Sequence, residues 1–135
     1  MKFLTYLISG PYLESKKWTA LPAERVAYHE GRGVVTTRNV RGVFRGDTDA
    51  IFSLYANVTL PDDAHQLSVR FVRYLDDGTI DETGIDDRAV TPGRQFVSHM
   101  WWFTARPDFQ VGVELWHDGT GQGTVNLAYL KGIAL

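Results

Sequence analysis

The run Ala50-Ile51-Phe52-Ser53-Leu54-Tyr55-Ala56-Asn57-Val58-Thr59-Leu60 decides the fold class. Phe52, Leu54, Ala56, Val58 and Leu60 alternate with Ile51, Ser53, Tyr55, Asn57 and Thr59. Successive side chains of a strand point to opposite faces, so period two sustained over this length predicts one long strand with a wholly apolar face. A helix would turn Phe52 and Leu54 about 200° apart and leave no continuous apolar stripe. Pro61-Asp62-Asp63 then closes the run with turn-forming residues.

The same alternation recurs downstream. Leu67, Val69 and Phe71 alternate with Ser68 and Arg70, and Asp76-Asp77-Gly78-Thr79 follows as a hairpin signal. The remainder of 76–87 reads as a solvated polar loop. Residues 95–105 are apolar on both faces, with Val97, Trp101 and Phe103 on one and Phe96, Met100 and Trp102 on the other. A strand of that kind is expected at the centre of a sandwich or against a partner chain. Phe109, Val111, Val113 and Leu115 alternate with Gln110, Gly112, Glu114 and Trp116, and His117-Asp118-Gly119-Thr120-Gly121 turns the chain. The last strand, 124–134, places Val125, Leu127, Tyr129, Lys131 and Ile133 on one face and Ala128 and Leu130 on the other. Upstream, residues 3–8 read as a first strand, with shorter ones at 18–21, 25–28, 33–37 and 40–44. No window sustains a helical period. About eight to ten short strands punctuated by turn residues predict an all-β fold, an antiparallel jelly-roll sandwich.

The chain has 135 residues, enough for one domain with its own core. We read 17–135 as that domain and 1–16 as an N-terminal strand or arm that docks onto a partner. There is no cysteine, which excludes disulfides and thiolate metal sites. Fourteen basic and sixteen acidic residues leave a net charge of −2 with no basic stripe, so nucleic-acid binding is not expected. No segment approaches the roughly 20 apolar residues of a membrane-spanning helix. The apolar run in residues 3–8 is too short for a secretory leader.

Three stretches resemble the C1q/tumour-necrosis-factor superfamily of trimeric jelly rolls. Trp18-Thr19-Ala20-Leu21-Pro22, followed by Arg25-Val26-Ala27-Tyr28, is similar to the opening strands of such domains. The run 49–58 resembles a strand that usually begins Gly-x-Tyr-x-Phe, with Ala50 and Ile51 standing where the Gly and Tyr would be. The end, Ala128-Tyr129-Leu130-Lys131-Gly132-Ile133-Ala134-Leu135, resembles the superfamily's closing strand. The resemblance implies a homotrimer in which this strand lies near the threefold axis. It makes Leu127, Tyr129 and Ile133 candidate subunit contacts. Within these residues there is neither a collagen stalk nor a membrane anchor. Small jelly rolls of that kind look like head-decoration or minor tail proteins of phage virions.

Other constellations were weighed for chemistry. Asp76, Asp77, Asp81 and Asp86 are candidate calcium ligands, although their spacing is not that of an EF-hand loop. The histidines, His29, His65, His99 and His117, show no metal-binding spacing. Ser98-His99 and His117-Asp118 are adjacent along strands, so each pair points to opposite faces and cannot act together. No Gly-x-Ser-x-Gly elbow is present. The expected protein is therefore not an enzyme and needs no cofactor. Trp101, Trp116 and His117 are candidate partner-binding residues, since an indole with a free face stacks on a sugar ring or anchors a protein contact. The resulting expectation is a structural virion protein that assembles with itself and with other virion proteins. The alternative is a carbohydrate-binding module engaging a host-surface glycan through exposed Trp and Tyr.

Overall fold

The computed structural model describes residues 2–7, 12–31, 33–35, 44–46, 49–104, 106 and 109–134, with Val34, Phe103, Phe109 and Ala134 described by backbone alone. Among these residues there are twelve strands and no helix. They are β1 (Lys2–Leu7), β2 (Tyr12–Leu13), β3 (Thr19–Ala20), β4 (Ala23–Glu30), β5 (Val34–Val35), β6 (Phe44–Arg45), β7 (Asp49–Leu60), β8 (Gln66–Leu75), β9 (Ile80–Ala89), β10 (Gly93–Thr104), β11 (Phe109–His117) and β12 (Gly123–Ala134).

Two antiparallel sheets face each other. The first runs β10-β7-β12-β1-β4, with β2 beside β12. The second runs β5-β6-β11-β8-β9, with β3 beside β11. This is the expected all-β jelly-roll sandwich, and alternation decides which side chains fill its interior. The even-numbered side chains of β7, from Ala50 to Leu60, are all buried, as the period-two reading requires. Val69 and Phe71 of β8, and Val111, Val113 and Leu115 of β11, close over them from the second sheet.

An aromatic triangle ties the two layers. Phe3 of β1 lies 5.4 Å from Phe44 of β6, Phe44 lies 5.7 Å from Phe52 of β7, and Phe52 lies 5.9 Å from Phe3. Each of these rings is buried, which stabilises the fold by about 1.5–3 kcal/mol per side chain. Gly132 makes the triangle feasible. It stands opposite both Phe3 and Phe52 in the ladder, and a Cβ there would overlap the Phe3 ring.

Four expectations need correction. Residues 2–7 are an interior strand paired with β12 on one side and β4 on the other, so they belong to the sandwich rather than to a separate arm. Residues 80–87, read as polar loop, belong to the ten-residue edge strand β9. An edge strand needs little apolar alternation, and charged side chains there discourage strand addition. Strand β10 is an edge of the first sheet, on the same side of the sandwich as β9, and not a central strand, so among the described residues no layer covers its outward side chains. In β12 a bulge between Val125 and Leu127 turns Val125 into the core while Leu127, Tyr129, Lys131 and Ile133 point outward. Of the expected short strands, 25–28 extends into the eight-residue β4, while the others are represented by Thr19–Ala20, Val34–Val35 and Phe44–Arg45; residues 36–37 and 40–43 lie outside the described residues.

Candidate assembly surface

The inner faces of both sheets are filled by the core, so any surface function rests on the outer faces and the edges. On the outer face of the first sheet, the odd-numbered side chains of β7 meet the even-numbered ones of β10. Ladder register lines them up in rows across the strands. One row runs Trp102, Ile51, Ile133, Lys2 and Glu30; the next runs Met100, Ser53, Lys131, Leu4 and Tyr28. A third contains Ser98, Tyr55, Tyr129, Tyr6 and Arg25. Tyr55 and Tyr129 stack with ring centroids 5.0 Å apart, and Phe96 packs 6.3 Å from Tyr55. The Arg25 guanidinium caps the Tyr6 ring at 4.5 Å, and the Lys131 ammonium lies 5.9 Å from the Tyr129 centroid.

This face is strongly apolar for a surface. Phe96 is 64% exposed, Met100 62% and Trp102 54%. Of the eleven exposed large hydrophobic side chains among the described residues, Tyr28, Phe96, Met100, Trp102, Leu127 and Ile133 share this one face. Scattered exposed apolar residues are ordinary, but a contiguous patch on rigid strands marks a contact surface.

The outer face of the second sheet is built differently. Arg70 and Glu114, opposite each other on β8 and β11, are joined at 2.6 Å, and the Tyr74 hydroxyl donates to Glu114 at 2.8 Å. The Trp18 ring covers the Arg70 guanidinium at 4.1 Å. The segment leading into and through β3 follows β11, with Lys16 N–H donating to the His117 carbonyl and Leu21 N–H to the Val113 carbonyl. Polar groups on this side thus satisfy one another.

The candidate residues are distributed as follows. Leu127, Tyr129 and Ile133 all lie on the apolar outer face of the first sheet. Trp101 points the other way, toward the gap between β10 and β9, and is 41% exposed. Trp116 is half-buried on the outer face of the second sheet beside Glu114. His117 is fully buried, which corrects its reading as a surface contact. Its Nδ1 accepts from the Gly119 N–H at 3.1 Å, so Nε2 carries the proton and donates to the Leu13 carbonyl at 2.9 Å. Its turn-side position suggested exposure, but the strand pattern alone could not reveal β2 passing over it.

The calcium candidates do not converge. Asp76 pairs with Arg45 at 2.9 Å, Asp81 with Arg73, and Asp86 with Arg88 at 2.6 Å. Asp77 accepts from the backbone and hydroxyl of Thr79 inside the hairpin turn, and these bonds, the hydroxyl's first, hold its carboxyl below the usual range. Among the described residues no three His, Asp or Glu side chains gather as a metal site. Ser98 is exposed on the outer face while His99 turns inward against Phe71, so they do not act as a pair.

No family model matches the chain, and no curated protein matches it. Solved structures do. The globular domain of zebrafish complement 1qA protein superposes with a TM-score of 0.62 at 10% identity, covering 99% of this chain and 96% of that one. Murine APRIL superposes with a TM-score of 0.62 at 13% identity, covering all of both chains. Sequence identities this low carry the fold and nothing finer, and the fold they establish is the C1q/tumour-necrosis-factor-like jelly roll.

Proposed function

We propose that this chain is a non-catalytic assembly module that forms a homotrimer through the outer face of its first sheet, and that it serves as a structural component of a phage virion. The observation that carries the first part is the patch built by Tyr55, Phe96, Met100, Trp102, Tyr129 and Ile133 on one uncovered sheet face. The face is large enough. Five strands about 4.8 Å apart and roughly 30 Å long present on the order of 700 Å² of flat area, close to the roughly 800 Å² per partner of a stable interface. Tyr, Trp, Phe and Met are also the residue types enriched in such contacts. A second copy is the natural occupant because the resemblance of 128–135 implies self-association through this strand.

The virion setting rests on the analogy drawn from the sequence and on a near-neutral net charge of −2, which does not favour nucleic acid.

Light scattering on the purified protein tests the assembly. A mass of three times the 15.2 kDa chain is expected, and a monomer at micromolar concentration overturns it. For the setting, mass spectrometry of purified particles should recover the chain in copy numbers divisible by three, and its absence from them would sink that part alone.

A further inference from the structure

His117 ends β11 as a fully buried titratable side chain of which the assembly face makes no use. Backbone groups engage both of its ring nitrogens. The Gly119 N–H donates to Nδ1 at 3.1 Å, and Nε2 donates to the Leu13 carbonyl at 2.9 Å. One nitrogen accepts and the other donates, and only the neutral imidazole offers one of each. A proton on Nδ1 would set N–H against N–H in a fully buried position.

The ring clasps a short strap, residues 12–16. The strap begins with β2, which pairs with β12 through Tyr12 and Leu13 alone. Past β2, the Ser15 hydroxyl donates to the Gly119 carbonyl, and the Lys16 N–H donates to the His117 carbonyl at 3.0 Å. Both bonds depend on where Gly119 stands relative to His117, which the bond to Nδ1 fixes. Lys16 holds φ 55°, a left-handed conformation that a residue with a Cβ adopts at a cost, so the strap closes under strain.

The charged groups around the ring are engaged elsewhere. On the strap side, Glu14 pairs with Lys17 at 3.2 Å, and Lys16 is exposed. In the 61–65 loop, Asp63 holds the Thr120 hydroxyl and N–H, while Asp62 and His65 are exposed. Asp118, next in the chain, holds the His65 and Gln66 N–H groups. From β8, the residue opposite His117 is the apolar Leu67. Among the described residues none of these groups hydrogen-bonds to either ring nitrogen, so the two backbone partners decide which protonation state fits.

We propose that His117 is a proton-sensitive clasp: the neutral ring closes the strap 12–16 onto the end of the sandwich, and a proton taken up from solvent at Nδ1 releases it. The closed form uses the neutral ring. The released form opens the ring to water, where a free imidazole takes up its proton near pH 6.5, about the midpoint of its titration. Release is therefore favoured as pH falls, by up to about tenfold per pH unit below that value. The Asp63 and Asp118 carboxylates respond only below about pH 4, so the two acid responses are separate. The inference is independent of the homotrimer.

Amide hydrogen exchange on the full chain at about pH 7.5 and about pH 5.5 tests it, read as protection factors so that the intrinsic pH dependence of exchange drops out. The Lys16 and Gly119 amides, which donate to the His117 carbonyl and ring, should lose about tenfold in protection at the lower pH. The Leu54 and Leu130 amides, on interior strands, should hold level. His117→Gln, whose amide does not titrate, should abolish the loss, and His65→Gln, at the exposed histidine nearby, should leave it in place. Equal protection at both pH values, a loss that persists in His117→Gln, or an equal loss at Leu54 and Leu130 overturns the proposal. If His117→Gln fails to fold, nitrogen NMR of the unaltered chain decides. The His117 ring should carry its proton on Nε2 alone wherever the strap is closed, and a doubly protonated ring under unchanged protection overturns the clasp.

Discussion

Arg70 and Glu114 face each other across β8 and β11 on the outside of the sandwich, yet they retain only 13% and 3% of their side-chain exposure. Trp18 above the guanidinium and Tyr74 beside the carboxylate exclude water from the pair. A pair this dry owes its effect to completeness, because removing Glu114 leaves the buried guanidinium with the longer and more exposed pairing to Glu82 at 3.4 Å. We expect Glu114→Ala to lower unfolding free energy by about 3 kcal/mol in urea titrations. The double variant Arg70→Met with Glu114→Leu should recover most of that loss. A loss no larger than that of an exposed ion pair, under about 1 kcal/mol, would show that water still reaches the site.

Two loops at one end of the sandwich grip each other through carboxylates. Asp63 accepts from the hydroxyl and the backbone N–H of Thr120, and Asp118 accepts from the backbone N–H groups of Gln66 at 2.9 Å and His65 at 2.8 Å. These bonds hold both carboxyls below the usual range, for Asp63 chiefly the Thr120 hydroxyl and for Asp118 chiefly the Gln66 amide. A depressed folded-state value means that the charged form is favoured by folding. The stabilisation is complete above the unfolded aspartate value of about 3.9 and is lost as pH falls through the lower folded values. The urea midpoint should therefore fall below about pH 4, and Asp63→Asn and Asp118→Asn should each flatten that fall. An identical acid limb in both variants would place the acid sensitivity elsewhere.

On the first sheet, assembly and stability should separate. Phe96 packs against Tyr55 on the outer face but is mostly exposed, so replacing it removes little from the folded monomer. Phe96→Glu is expected to shift the light-scattering mass toward the monomer while changing the melting temperature of the dissociated chain by less than about 3 °C. Tyr55→Ala should act in the same direction by removing the stacking partner of Tyr129. Trimers of undiminished stability in both variants would move the interface off this face.

The parts of this arrangement that the sequence expressed are those governed by alternation alone. Period two in 50–60 placed Phe52, Leu54 and Val58 inside before any neighbour was known. It also separated Trp101 from Trp102. Features that depend on which strands neighbour one another were not legible. Tyr55, Phe96 and Tyr129 form one patch only because β7 lies between β10 and β12, a fact of sheet order that no local pattern encodes. The bulge at Asn126 breaks the alternation by one residue, and so Val125 was assigned to the wrong face. Strand β9 escaped notice because its pairing with β8 uses backbone groups while Asp81, Glu82, Asp86 and Asp87 remain polar. The seat of the Trp101 ring rests on Gly84, where a Cβ would stand 2.7 Å from the indole, a contact that exists only because β9 and β10 are side by side.

Gly132 gives the sharpest check on the core. It points between Phe3 and Phe52 on the inner face of β12, and its backbone is not in the left-handed region. The constraint is therefore space rather than conformation. Any Cβ overlaps the Phe3 ring, which is wedged against Phe44 of the opposite sheet. Phe3 cannot retreat without parting the aromatic triangle, so Gly132→Ala should destabilise the fold by about 1–3 kcal/mol through overpacking. Phe3→Leu in the same chain removes part of the ring that the new methyl meets. The pair should then be coupled, with the double variant more stable than the sum of the two single losses predicts. A double-mutant cycle by urea unfolding measures this, and strict additivity would mean that β1 and β12 adjust their spacing independently of the triangle.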